Sequence, residues 1–553
     1  MSNPNVNNRI GKDREYKVLA KNSFYSIVNN YGVYIFSTIT SFLIARVISQ
    51  VLWAYLIIAF SYITLISLIS NFLPPSIGMA VNYYIPRYRS LNQNTKLRTF
   101  LLYSILLRFL FLIPIFLISI TFFLVLNHLF TNLDGYVQLL FILSPLIIVI
   151  PSLGFLNDIV RSFNKFKIVF FLNTIRFLTY IIGLLILLFN RQIVRIELIG
   201  FILLLSYLIP SIINLLITVK IILNIKKSEE DKLTLVQVIK DLFKYGTHMS
   251  VRNFLHRFNR EIKTQFISFV QPPATVTGYS IAFNYSYVSF EAVGSFNVPL
   301  TISFSSLTAK NKFKQIEKIY TNLFHYALFF ILIITGVLYY VSDIFLFLIY
   351  TEFSASFPLY SIMMKLMVVA IIFNIQASFF YSLLRSSEKV KYIVPISLLT
   401  TIINISSFLI GLYSFGIIGG LIGLIIGNII IYILLAFLSI KIFKIRLDIM
   451  KAILLYSSFF VSLGLASMLE VFALSKLNHL LLKSLNLLIF KDFQFLSFGV
   501  FIITFLFLIF ILDVFSRSDI ENLQSLFNRD NFTDKILRKS LKIIKRFMGK
   551  QQN

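Results

Sequence analysis

Apolar residues run along this chain in stretches of twenty or more, separated by short polar segments that carry most of its charge. A hydrocarbon core about 30 Å thick is crossed by about 20 apolar residues in a helix, so each stretch predicts a transmembrane α-helix. Fourteen are predicted, at roughly 24–46, 52–79, 99–127, 136–160, 168–189, 196–220, 247–270, 276–306, 321–346, 357–384, 392–413, 416–440, 449–472 and 492–514. The spans at 247–270 and 276–306 are the least apolar of these. The predicted fold class is all-α integral membrane.

Charge placement fixes the orientation. Residues 1–23 are polar and basic, without the apolar core or small-residue cleavage site of a signal peptide, so a cytosolic N-terminal segment is expected. With that start, 38 of the 51 Lys and Arg residues fall in cytosolic tails and loops. Six fall in outer loops (Arg46, Arg191, Arg195, Lys476, Lys483 and Lys491), and seven fall within spans. This bias follows the positive-inside rule and predicts a multi-pass protein of the cell membrane with both termini cytosolic. The net charge of +28 is then mostly a topology signal, and nucleic acid is not an expected partner. The absence of cysteine excludes disulfides and thiolate metal sites.

The chain also repeats itself. RSFNKFK (Arg161–Lys167) follows the fourth span and RSSEKVK (Arg385–Lys391) the tenth, both fitting R-S-x-x-K-x-K at an offset of 224 residues. The same offset carries the start of span seven onto the start of span one. Six spans per half give both halves the same orientation, the parallel-repeat arrangement of some transporters. The expected organisation is an N-lobe at 24–223, a cytosolic linker at 224–246, a C-lobe at 247–446 and two extra spans within 447–514. A basic amphipathic tail at 515–553 is expected to lie on the anionic cytosolic leaflet, and the outer segment around 477–493 reads as interfacial.

Span seven, MSVRNFLHRFNREIKTQFISFV (Met249–Val270), is the anomaly. At about 100° per residue, Arg252, His256, Arg260 and Lys263 share about 80° of arc, with Arg257 beside them. Phe254, Leu255, Phe258, Ile262, Phe266 and Phe269 form one apolar stripe about a third of the circumference wide. Four bases at mid-membrane cost on the order of 12 kcal/mol, and six apolar residues return only about 2–4 kcal/mol. The basic face must therefore line water or meet buried acids. Three plainer readings stand beside a binding role: a surface helix, bases paired structurally with Glu261, Glu291 and backbone carbonyls, and snorkelling by Arg252. Snorkelling does not reach Arg260 and Lys263, roughly 20 Å from the cytosolic face.

Arg108, Arg176 and Lys365 also sit inside spans, whereas the acids read at comparable depth are Glu261 and Glu291. Such an excess attracts anions, phosphates above all. Glu291 either pairs with a base or takes up a coupling proton or cation. Pro114, Pro145, Pro151, Pro210, Pro299 and Pro395 read mainly as static kinks. FGIIGGLIGLIIG (Phe415–Gly427) carries small residues four apart, which predicts close helix packing.

Several segments carry a resemblance. SFLIARVISQVLWAYLII, GMAVNYYIPRY (Gly78–Tyr88), TGYSIAFNY (Thr277–Tyr285) and INISSFLIGLYSFGIIGGLIG are similar, in order and spacing, to the polysaccharide-biosynthesis (Wzx-type) oligosaccharide flippases, with Ala54 where glycine is usual. That family belongs to the MOP superfamily, which also holds the MATE drug exporters and the lipid II flippase. Over roughly residues 20–445, the resemblance implies two six-helix lobes around a central cavity that opens alternately to either side. It implies a polyprenyl- or dolichyl-(pyro)phosphate-linked oligosaccharide as substrate, with the two extra helices forming a groove for the lipid tail.

These readings converge on an expected flippase for surface-glycan biosynthesis, not an enzyme. Its partners would be the lipid-linked oligosaccharide, membrane lipids and other polysaccharide-assembly proteins. The expected anion site is Arg252, His256, Arg257, Arg260 and Lys263 with Arg108, Arg176 and Lys365. Glu291 and Glu261 are the carboxylates for coupling to protons or sodium, and no cofactor or metal is expected. A MATE-type exporter of cationic drugs would need cavity carboxylates where this chain has bases. A membrane ligase or polymerase would need larger, more acidic outer loops.

Overall fold

The computed structural model describes residues 29, 32–70, 77–129, 134–225, 232–294, 304, 313–386, 389–445, 448–470, 495–512 and 514. Among these residues every regular element is helical. The helices are α1 Gly32–Val47, α2 Gln50–Ile69, α3 Ile77–Ser90, α4 Asn94–Leu129, α5 Asp134–Leu143, α6 Leu146–Ser162, α7 Phe166–Phe189 and α8 Ile196–Leu223. They continue with α9 Leu235–Val270, α10 Pro273–Gly294, α11 Phe313–Ile349, α12 Phe357–Ile372, α13 Ile375–Ser386, α14 Ile393–Phe443, α15 Ile449–Leu469 and α16 Phe495–Ile511. Nine helical stretches among the described residues are long and apolar enough to cross a membrane, and 32–47 and 496–511 are shorter apolar helices. The chain is a multi-pass membrane protein.

The predicted spans map closely onto these helices, and their departures have local causes. Within span two, α2 ends at Ile69 and α3 begins at Ile77. Spans four and ten are each broken in the middle, at Ser144–Pro145 and at Phe373–Asn374. Proline lacks the amide that would continue the ladder at the first break. Spans eleven and twelve are the two arms of α14, 51 residues in all, which breaks at Phe415 and at Gly416 (φ 65°, ψ −156°). That conformation is open essentially only to glycine. The arms touch through their backbones: a Cβ on Gly411 would collide with the Gly419 carbonyl, and one on Gly423 with that of Ser407. The predicted small-residue packing is therefore present.

Helix α9 begins at Leu235, inside the segment read as the inter-lobe linker at 224–246. Thr234 accepts from the Gln237 amide while the Gln237 side chain accepts from the Thr234 amide, a reciprocal cap that starts the helix. With 36 residues, α9 is about 54 Å long.

The chain packs as two compact units. The first comprises 1–281, 349–359 and 389–424; the second comprises 282–348, 360–388 and 425–553. In the first, α9 packs against α2, α3 and α4, so it shares a unit with the helices of the first repeat. The same unit shows why the segment around Arg46 is built as it is. Arg46 donates to the Ile349 carbonyl at 3.1 Å, closing the C-terminus of α11, while the Ser49 hydroxyl caps α2 by accepting from Leu52. Both satisfy backbone groups that a helix end leaves unpaired. The second unit has its own core, in which Phe459, Phe501 and Phe505 of α15 and α16 pack with Tyr320, Phe324 and Phe379. The predicted N-terminal segment, the interfacial stretch at 477–493 and the tail at 515–553 lie outside the described residues.

Candidate functional site

Within the first unit, the charges of α9 differ in burial. His256, Arg257 and Arg260 are exposed, with Arg252 half-buried beside them, whereas Glu261, Lys263, Thr264 and Gln265 are buried. Two bonds to α2 set this rotation: Gln265 donates to the Ile58 carbonyl at 3.1 Å, and Ser61 donates to the Glu261 carbonyl at 3.2 Å. Phe254 and Phe258 stack at 5.5 Å on the apolar stripe. A surface this basic cannot contact hydrocarbon; it must meet water or acids.

The bases differ in what occupies them. Arg260 donates through Nε and Nη2 to Glu261 Oε1, at 2.8 and 2.5 Å, yet its side chain keeps 48% of its surface open. Lys263, only 5% exposed, donates to Asn404 Oδ1 on the first arm of α14 and lies 5.6 Å from the centre of the Phe408 ring. Arg108, 3% exposed, donates to the Ser70 carbonyl at 2.6 Å and more distantly to that of Pro151. Its guanidinium therefore serves the C-terminus of α2, where unpaired carbonyls concentrate negative potential. Arg176 lies over Phe177 and Tyr207, at 4.2 and 4.9 Å. Lys365 belongs to the second unit, where it pairs with Asp343 at 2.7 Å, and Ser361 also donates to Asp343.

Of the eight predicted bases, four thus share one face of α9: Arg252, His256, Arg257 and Arg260. Lys263 lies on the same arc further along the helix but is buried against Asn404, and Arg108 is within electrostatic reach of Arg257. Arg176 and Lys365 have local partners of their own. Glu261 is the partner of Arg260, and Glu291 lies in the last turn of α10, outside the side chains described. Among the described residues no group of three or more His, Asp or Glu side chains could hold a metal ion.

Sequence reasoning passed over Asp158, Asp343 and Asn404. The two acids lie near span ends, where a count restricted to mid-membrane depth leaves them out. Asn404 had a readable signal, because Thr401 and Asn404 fall three apart on a mostly apolar helix. Asp158 carries the most weight. It stands in α6 within electrostatic reach of Arg108, Arg161 and Arg257, and it joins the charges of α4 and α6 to those of α9. Bases outnumber acids across this connected group.

A model of a family described as "polysaccharide biosynthesis protein" matches residues 19–297, just over half of the chain. The chain belongs to that family. No curated protein matches its sequence. Among solved structures, this family member is similar to an inward-facing multidrug resistance MATE family transporter of the MOP superfamily, with TM-score 0.60 and 13% identity. That match covers 74% of this chain and 94% of the other. It is also similar to the lipid II flippase MurJ in an inward closed conformation, with TM-score 0.58 and 17% identity, covering 88% of this chain and 98% of that one. This member of the polysaccharide biosynthesis family therefore has the MATE- and MurJ-like fold. All four segments quoted for the family resemblance lie on described helices or their immediate ends. SFLIARVISQ in particular is the α1–α2 junction, where Arg46 and Ser49 act as caps.

Proposed function

We propose that this protein is a flippase that carries a lipid-(pyro)phosphate-linked oligosaccharide across the cytoplasmic membrane, supplying surface-polysaccharide assembly. The observation that carries the reading is the basic face of α9, with His256, Arg257 and Arg260 exposed and Arg252 half-buried on a helix that packs among apolar helices. Guanidinium groups bind phosphate in a bidentate manner, and each charge-assisted bond contributes about 1.5–3 kcal/mol. Family membership supports the link to polysaccharide. The site opens alternately to the two sides, Arg257 and Arg260 grip the phosphate, and Arg108 and Lys263 hold the frame around them. α15 and α16 guide the lipid tail. Membrane potential or an ion gradient resets the empty carrier, with Glu291 or Glu261 as coupling carboxylate. Export of cationic drugs is the weaker reading, since a cation would meet a surface that repels it.

The test is export of the surface glycan by Arg260→Ala and Lys263→Ala variants, alongside thermal melts of the purified proteins. Both variants are expected to lose export by tenfold or more. Arg260→Ala is combined with Glu261→Gln so that no buried carboxylate loses its partner, and the melts report any loss of stability from the buried Lys263 site. Wild-type export by both would sink the anion-site assignment.

A further inference from the structure

We infer that Arg176 and Tyr207 form a second binding site, apart from the bases of α9, for a sugar residue that carries a carboxylate. This rests on the flippase reading above and adds a substrate class to it, an acidic oligosaccharide. Arg176 lies mid-way along α7, its guanidinium 4.2 Å from the centre of the Phe177 ring and 4.9 Å from that of Tyr207 on α8. The Tyr207 ring lies 6.2 Å from that of Phe60 on α2, and Phe177 stacks on Phe36 of α1 at 5.4 Å. Four helices of the first unit thus converge on one charge. That charge is turned away from lipid. The exposed apolar residues Phe171, Leu178, Ile182, Ile186 and Phe189 share one stripe of α7, and Arg176 falls about 130° from its centre. On α8 the stripe is Ile212, Leu216, Val219 and Leu223, and Tyr207 falls about 150° from it.

Nothing consumes the donors of Arg176. Among the described residues it makes no hydrogen bond and no ion pair, whereas Arg108 is spent on the Ser70 and Pro151 carbonyls and Lys263 on Asn404. Its nitrogens are not sealed off either: none is a buried atom lacking a partner, as Arg108 Nε is. The Tyr207 hydroxyl is in the same state, on a half-buried side chain with no hydrogen bond among the described residues. A charge at mid-membrane must meet water, an acid or a ligand, and no described acid pairs with this one. The aromatic faces attract the guanidinium through their π electrons and take up none of its N–H groups. Those groups stay free for two parallel bonds to a carboxylate. The Tyr207 hydroxyl can meet a sugar hydroxyl, while the rings of Phe60 and Tyr207 offer apolar surface to the C–H face of a pyranose. Apolar walls with a few convergent polar groups are the usual make-up of a small-molecule site. A phosphate alone would have no use for such walls, which favours a carboxylated sugar ring over part of a pyrophosphate.

Methyl β-D-glucuronide and methyl β-D-glucoside differ by a carboxylate in place of a hydroxymethyl group. Both are titrated against the purified full chain by saturation-transfer NMR, with inorganic pyrophosphate measured alongside by calorimetry. The wild type should bind the glucuronide about tenfold more tightly than the glucoside. Arg176→Gln should erase that preference and leave pyrophosphate affinity within about twofold. Arg176→Lys keeps the charge but not the paired N–H groups; it should retain only part of the preference, and it serves should the glutamine variant fail to fold. Equal binding of the two glycosides by the wild type, or a preference that survives Arg176→Gln, overturns the inference. So does a loss of pyrophosphate affinity as large as the loss for glucuronide, which would return Arg176 to the phosphate site. If the preference behaves as expected but vesicles move no lipid-linked oligosaccharide, the flippase reading falls and the carboxylate site stands.

Discussion

Helices α1 and α9 are the same piece of architecture written twice, and they differ in the feature that matters most. Residues 224 apart occupy matching places: α6 ends at Ser162 and α13 at Ser386, and the starts of α2 and α10, Gln50 and Pro273, agree to within one residue. At that offset Thr264 matches Thr40 and Phe266 matches Phe42, so the two helices share a core-facing pattern. Yet Arg257, Arg260 and Lys263 stand where α1 has Val33, Phe36 and Ile39, and His256 stands where it has Gly32. Phe36 simply stacks on Phe177 at 5.4 Å. The scaffold position thus accepts apolar residues. The bases of α9 carry an insertion cost of about 2.5–3.5 kcal/mol each that its counterpart avoids. A helix that bears this cost in one copy alone is charged for a reason other than folding.

The strongest way to break the contrast is to erase it. Writing α1 into α9, with Arg257→Val, Arg260→Phe, Glu261→Ser and Lys263→Ile, should abolish glycan export by a hundredfold or more. Glu261→Ser belongs in the set because the carboxylate would otherwise be buried without Arg260. A normal melting profile is expected; retained export would remove the functional meaning of the charges. A smaller effect is expected where a base has a structural partner. Lys365→Ala should leave Asp343 unpaired and cost about 3 kcal/mol of stability in a thermal melt, with much of it recovered by Lys365→Met combined with Asp343→Leu. The same export defect in the recovered double variant as in Lys365→Ala would show that this pair does more than hold α11 to α12. The smallest effect belongs to the one base of α1. Arg46→Gln, at the position where α9 has Val270, should cost about 1 kcal/mol through the lost cap on α11 and leave export rates intact.

How much of this was legible in the sequence follows the range of the interactions involved. Spans five and six, predicted at 168–189 and 196–220, end within a few residues of α7 and α8 because hydropathy and length act locally. The repeat and the isolated basic face of α9 were legible for the same reason. The early start of α9 was also written locally, in the Thr234–Gln237 cap, but the charged residues that follow hid the helix from an apolar pattern. What each base touches was not legible. Arg108 finds its carbonyl 38 residues away and Lys263 its amide 141 residues away. No spacing rule reaches across such distances. The candidate site therefore came through as a face and a sign of charge, while the division between Arg257, exposed on α9, and Arg108, spent on a helix end, needed the fold.

The break in α14 bears on how sidedness is protected. Left straight, 51 residues would run about 77 Å, more than twice the thickness of the hydrocarbon core, and the chain beyond them would emerge on the opposite face. Gly416 alone does not guard against that outcome, since forcing an ordinary residue into its backbone conformation costs only about 1–3 kcal/mol. The contacts of Gly411 with Gly419 and of Gly423 with Ser407 fasten the returning arm at several further points. The reversal is over-determined, so a single substitution at the bend should slow or weaken the hairpin without turning the rest of the protein inside out.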